Sequence, residues 1–213
     1  MSIKHRTIFI FFVCTQLTFS FTVIIDPSGD AKHTGRVIQD TFERGITLQC
    51  AELLKKELNQ TLPKVRVVLT RVPGETIQPL QNASFANRLQ ADFYISISFY
   101  LETDIPSHIS IFHYITQQTD YWHTYVPLSF YHVSQAHLIN IALTQKLGNQ
   151  LLTILQNKNI NPFFKTQGLF AIPYKPLLGI KAPALAIEAG IRQKDDYKNI
   201  IQPLICFIKE IAL

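Results

Sequence analysis

What most constrains this chain is its repeated alternation of short apolar, β-branched runs with stretches of helical period. Phe21-Thr22-Val23-Ile24-Ile25-Asp26-Pro27 opens the series. Val23, Ile24 and Ile25 stand in unbroken succession, so a strand built from them must be covered on both faces, and Pro27 stops it. Thr47, Cys50, Ala51, Leu54 and Leu58 then recur at helical spacing, with Glu52, Lys55, Lys56 and Glu57 on the other side, and Pro63 closes the connection. Val65–Leu69, Asp92–Ser98, Ile109–Ile115 and Ala184–Glu188 read as further strands, and Gln78–Leu89, Ser134–Gln156 and Asp196–Ile211 as helices. Residues 116–133 form an aromatic, histidine-bearing loop, and a connection containing Pro162, Pro173 and Pro176 follows the longest helix. Strands in alternation with helices predict an α/β fold: a single domain with a mostly parallel twisted sheet and helices on both faces.

A length of 213 residues with 47% hydrophobic and 16% charged side chains suits one globular domain with a substantial core, and no repeat or linker divides it. Residues 1–20 read as a secretion signal ahead of a domain at 21–213. Lys4 and Arg6 precede an apolar run from Ile8 to Leu17, and Thr18-Phe19-Ser20 offers a small-x-small cleavage pattern. That run is shorter than the roughly 20 residues of a bilayer span, and no later segment is long and apolar enough to span a membrane. The expectation is a secreted chain in the periplasm or cell envelope, with no stable membrane span after cleavage. Lipid modification at Cys14 is disfavoured, because Phe12-Val13 lacks the small residue that processing prefers.

The formal charge is +5, of which Lys4 and Arg6 leave with the signal. No cluster of lysine and arginine alternates with aromatics, which argues against nucleic acid as a partner, whereas a weakly basic face suits an anionic envelope. Cys50 and Cys206 fall inside helical patterns and form neither a disulfide framework nor a metal spacing. They read as buried small side chains, with one disulfide between them left open for an oxidising compartment.

In open α/β sheets, ligands gather beyond the carboxyl ends of the strands. Three strands here end in polar turns: Asp26-Pro27-Ser28-Gly29-Asp30, Ser96-Ile97-Ser98-Phe99 and Ile187-Glu188-Ala189-Gly190. Glu43 joins them just before the first helix. A carboxylate there also has a purely structural explanation, because the helix dipole and free amides favour it by about 0.3–1 kcal/mol.

Taken together, these strings resemble a known family. Val23-Ile24-Ile25-Asp26-Pro27, Glu43 with Leu48 five residues on, Val68-Leu69-Thr70-Arg71, Ala86-Asn87, Ala91-Asp92 and Ser96-Ile97 occur in the order and spacing of zinc-dependent N-acetylmuramoyl-L-alanine amidases. So does Ala182-Pro183-Ala184-Leu185-Ala186-Ile187-Glu188-Ala189-Gly190-Ile191, followed by Asp195-Asp196 and a closing helix. The resemblance covers nearly the whole chain after the signal. It implies that Glu43 matches a zinc-ligand glutamate and Glu188 the catalytic acid/base. The family's two zinc histidines fall at Gly29 and Ser98, so both are replaced.

That departure sets the functional expectation. Catalytic zinc needs three protein donors and an open position, and glycine offers none. Without the metal, water is not acidified and the amide carbonyl is not polarised. The resemblance therefore implies an envelope protein of impaired catalysis, holding no cofactor and retaining binding of peptidoglycan or of an envelope protein. Two alternatives stand beside it. One is an active amidase cleaving the MurNAc to L-Ala amide bond through a rearranged zinc site that uses Glu43, His33 and one histidine among His123, His132 and His137. The other is a secreted interaction protein unrelated to the cell wall. Asp30 lies closer to the first turn than His33, and His113 belongs to a strand. Tyr114, Tyr121, Trp122, Tyr125, Phe130 and Tyr131 read as loop aromatics folded on the sheet edge, with a sugar-stacking platform as the alternative. Lys165, where the family often carries an arginine, is the candidate contact for a peptide carboxylate.

Overall fold

The structure is a computed structural model; it describes residues 21–78, 80–116 and 132–213. The expected signal at residues 1–20 lies outside the described residues, as do His123, Tyr121, Trp122, Tyr125, Phe130 and Tyr131. In chain order the elements are β1 (Phe21–Pro27), the short hairpin strands β2 (Val37–Ile38) and β3 (Thr41–Phe42), α1 (Glu43–Thr61), β4 (Val65–Leu69), α2 (Gln81–Arg88), β5 (Phe93–Leu101), β6 (Ser107–Tyr114), α3 (Ile141–Gln156), β7 (Phe164–Ile172), β8 (Ala184–Ile191) and α4 (Ile201–Ala212).

The six long strands form one sheet in the order β4-β1-β5-β8-β6-β7. β4, β1, β5 and β8 run parallel, β6 is antiparallel to β8, and β7 follows β6 in parallel. Chain length explains the reversal. Residues 102–106 are too few for the crossover that a parallel return requires, so β6 comes back antiparallel, stepping past the place that β8 later fills.

Both sheet faces are covered, as the unbroken apolar runs require. One face presents Val23, Ile25, Phe93, Ile95, Ile97, Leu185 and Ile187 to α1, α3 and α4, where Leu54, Leu151 and Leu204 are fully buried. Phe207 of α4 meets Phe93 edge-on, with ring centroids 5.3 Å apart. The opposite face packs Ile24, Tyr94, Ala184 and Ala186 against Ala83 and Ala86 of α2 and against Leu177 and Ile180. Small residues on both sides let the short α2 lie close to the strands. Cys50 is buried with its thiol pushed to a higher pKa by desolvation; it and Cys206 are both free, so no disulfide joins them.

Three expectations change. The connection after α3 contains a nine-residue strand, β7, which lay hidden because it is an edge strand with Gly168 inside it and a register irregularity opposite Ile109 and Ser110. The helical patterns beginning at Ser134 and Asp196 open with tight 3-10 turns, Val133–Asn140 and Lys194–Ile200, before α3 and α4 begin. Glu43 is the first residue of α1 itself.

Candidate functional site

The carboxyl ends of β1, β5 and β8 lie side by side, with Pro27 opposite Ile97 and Ser98 opposite Glu188. Two polar anchors shape the first turn. Thr70 Oγ1 and Asn82 Nδ2 donate to Asp26 Oδ1 at 2.7 and 2.8 Å. Burial dominates the Asp26 environment and raises its pKa. Arg71 is 5% exposed and donates to the carbonyls of Pro27, Ser28 and Arg44 at 3.1, 3.2 and 2.8 Å, so it ties the turn to the head of α1. The Thr70-Arg71 pair thus has a scaffolding role.

Gly29 follows at φ +79°, where an added Cβ would sit 2.9 Å from Arg44 Cβ. Asp30 accepts from the backbone amides of His33 at 2.6 Å, Lys32 at 2.8 Å and Ile77 at 3.0 Å. Burial acts to raise its pKa, but these donors outweigh that and hold the carboxyl far below the usual range. His33 turns its Nδ1 to Asp30 at 3.2 Å and is largely exposed.

Glu43 is 4% exposed at the mouth of this turn. Its Oε1 accepts from Phe99 N and its Oε2 from Arg36 N, both at 3.1 Å. Gly35 makes room for the carboxylate: at φ +74°, a Cβ there would lie 2.7 Å from Glu43 Oε2. Both Glu43 oxygens are therefore held by backbone amides, one from the turn and one from β5.

The Arg36 side chain reaches the other carboxylate. Its Nη2 donates to Glu188 Oε1 at 2.6 Å, its Nη1 lies 3.3 Å from Phe99 O, and the guanidinium covers the Tyr100 ring with its carbon 5.7 Å from the centroid. Desolvation alone would lower the Arg36 pKa; the hydrogen bond and charge of Glu188, with Glu43 behind, outweigh it and raise the value. Arg36 is thus a permanent cation between the two carboxylates. Beside Glu188, Ser98 Oγ donates to Ile187 O at 3.1 Å and lies 3.4 Å from the Tyr174 hydroxyl. Tyr174 stacks on Phe112 at 5.5 Å, and burial raises its pKa.

The remaining sequence candidates lie apart from this centre. His113 Nδ1 faces Tyr114 O, His132 pairs with Ser134, and His137 packs edge-on against Tyr114. Lys165 belongs to β7, where it is exposed and stands opposite His108 across the strand pair. Among the described residues, no group of three metal-donor side chains includes Glu43 or His33. Arg36 and Tyr174 were not legible in the sequence: each sits in a connection without periodicity, and their roles depend on contacts from segments far away in the chain.

This α/β domain sets Glu43, at the head of α1, and Glu188, within β8, about the same arginine. The Amidase_3 family profile, N-acetylmuramoyl-L-alanine amidase, matches residues 23–204. This chain belongs to that family, whose members are typically zinc-dependent and extracytoplasmic. A 75-residue stretch, 35% of this chain, is 32% identical to the N-acetylmuramoyl-L-alanine amidase CwlM of Bacillus licheniformis and spans only 30% of that relative. The fold resembles the N-acetylmuramoyl-L-alanine amidase of Clostridium difficile 630, with a TM-score of 0.66 and 17% identity over 90% of this chain and 96% of that one. It also resembles AmiC2 of Nostoc punctiforme, with a TM-score of 0.62 and 20% identity over 90% and 97%. Among the described residues, no helix is long and apolar enough to cross a membrane.

Proposed function

We propose that this chain is a secreted, envelope-located amidase-family protein whose inherited zinc position lacks the side chains to hold the ion, so that catalysis is impaired while the site still binds peptidoglycan or an envelope protein. The observation that carries the reading is the 2.6 Å bond from Arg36 to Glu188, beside a Glu43 already held by two amides.

The donor set does not fit zinc. Gly29 has no side chain, and Ser98 uses its hydroxyl proton on Ile187 O. Of the three inherited ligand positions, Glu43 alone then carries a strong donor, against the three that a catalytic site needs. Arg36 supplies a fixed positive charge bonded to Glu188 and in the field of Glu43, and it offers no open coordination position for water. The Arg36–Glu188 pair is half exposed, so it adds at most about 1 kcal/mol to stability. Its consequence is chemical: Glu188 as proton acceptor faces a guanidinium and an unactivated water. General-base help alone is worth about 10²–10⁴-fold, far below what amide hydrolysis requires.

The experiment combines muropeptide hydrolysis with sacculus pull-down. The purified protein is expected to release no peptide with or without added zinc, while co-sedimenting with sacculi at low and moderate salt. Zinc-dependent release that disappears in Glu188→Ala would establish an active amidase instead. Loss of sacculus binding together with absent hydrolysis would favour an interaction protein unrelated to the cell wall.

A further inference from the structure

The end of β4, the loop after it and one side of α2 border a cavity of about 410 Å³. That volume falls in the range of about 300–1,000 Å³ that small-ligand sites occupy. Neither Glu43 nor Glu188 lines it. The buried Arg71 and the exposed Arg88, in the last turn of α2, both do, with Glu75, Ser84 and the half-buried Leu69 and Phe85.

The scaffolding role of Arg71 leaves part of its guanidinium unused. Nε donates to Pro27 O, and Nη2 is shared among Ser28 O, Arg44 O and, at 3.4 Å, the Thr47 hydroxyl. Among the described residues, nothing accepts from Nη1 and no carboxylate stands within ion-pair distance. Burial pulls the Arg71 pKa down; Asp26, Asp30 and Glu52 act on it only through space, and Arg44 opposes them. A guanidinium stays charged regardless, and a buried charge is favoured only when a hydrogen-bonded counter-charge meets it. Arg71, 5% exposed and fixed by carbonyls on one side, therefore keeps both N–H groups of Nη1 for an anion on the other.

The rest of the lining says which anion. Arg88 has no hydrogen bond or ion pair among the described residues, so its guanidinium is also open. Two guanidinium groups on one cavity match the planar fork of a carboxylate. Glu75 opposes a phosphate dianion more strongly than a carboxylate. Its Oε2 accepts from Val72 N at 2.8 Å, which leaves Oε1 to accept an N–H from a ligand. Leu69 and Phe85 add apolar surface for a small side chain. The loop that carries Glu75 is held in place, since Ala31 N donates to Glu75 O at 2.8 Å and Ile77 N to Asp30 at 3.0 Å.

We propose that this cavity binds the carboxylate end of a short peptide. The carboxylate meets Arg71 and Arg88, the last peptide N–H turns to Glu75, and a small apolar side chain lies over Leu69 and Phe85. The inference does not depend on the reading of Glu43 and Glu188.

The test is an NMR titration of the purified protein with N-acetyl-alanyl-alanine, in its L,L and D,D forms, followed at Arg71 Nε–H and at the amides of Val72 and Glu75. One form or both is expected to saturate these shifts with a Kd of about 1 mM or tighter. The C-terminal amide of the same peptide is expected to bind roughly 10-fold more weakly or worse, because its hydrogen bonds lose their charge. Arg88→Gln and Ser84→Asp are exposed changes on α2 that break no side-chain bond of the fold. The first removes a cation and the second adds an anion, and each is expected to weaken binding by about 10-fold. Thermal unfolding confirms that both variants are folded. No saturable shift with either form overturns the proposal, as does equal affinity for acid and amide or unchanged affinity in both variants. Inorganic phosphate that binds more tightly than the peptide overturns it in favour of a phosphate site.

Discussion

Glu43→Gln separates a structural glutamate from a metal ligand. In the native arrangement each carboxylate oxygen accepts one backbone N–H, from Phe99 and from Arg36, at 3.1 Å, in a site 4% exposed to solvent. Glutamine keeps the shape but turns one acceptor into an NH₂ donor that faces another donor. One hydrogen bond to a charged group is lost, at about 1.5–3 kcal/mol, and a buried amide is left unpaired. The favourable field between Glu43 and Arg36 also disappears. A total of about 2–4 kcal/mol follows, which for a domain of this size lowers Tm by about 5–15 °C. The assay is thermal unfolding of wild type and variant, each with and without chelator. Because Glu43 touches no ion in this account, the difference between the two proteins stays the same in chelator. If that difference collapses once metal is removed, Glu43 is a ligand and the argument fails.

Three further outcomes follow from the same geometry. Asp30, with a pKa below its unfolded value of about 3.9, contributes stability that is fully present above that pH and lost as acid protonates it in the fold; the urea-midpoint gap between wild type and Asp30→Asn should be full at pH 7 and shrink steadily below about pH 4. The double change Gly29→His with Ser98→His restores the family's residue types, yet position 29 has φ +79° and a Cβ there presses on Arg44; about 1–3 kcal/mol of destabilisation is expected, with no zinc uptake dependent on Glu43 by calorimetry. Phe207→Ala removes a fully buried ring that packs on Phe93 and should cost about 3–5 kcal/mol in denaturant unfolding.

How much was legible follows from what leaves a local trace. The runs Val23-Ile24-Ile25, Tyr94-Ile95 and Ala184–Ile187 announce two-sided burial in their own composition, and α1, α3 and α4 carry their apolar stripes in a fixed period. The reversal of β6 depends on the order in which later strands enter the sheet. β7 escaped because an edge strand with Gly168 and a register irregularity loses strict alternation. At the site, the motif strings single out Glu43 and Glu188, and the structure places Glu43 at the head of α1 against Phe99 of β5, with Glu188 inside β8 three residues before its end. What no string encoded was that Gly35 admits the Glu43 carboxylate and that Arg36 spans to Glu188. Each is a contact between residues whose distance in sequence hides their relation.

The central claim concerns one position in space, between Glu43, Gly29 and Ser98. Crystals grown with excess zinc and measured at the zinc absorption edge test it directly. The account predicts Arg36 bonded to Glu188 and no anomalous peak within about 2.0–2.2 Å of a Glu43 oxygen. A peak at that distance, with Arg36 swung away from Glu188, would contradict it.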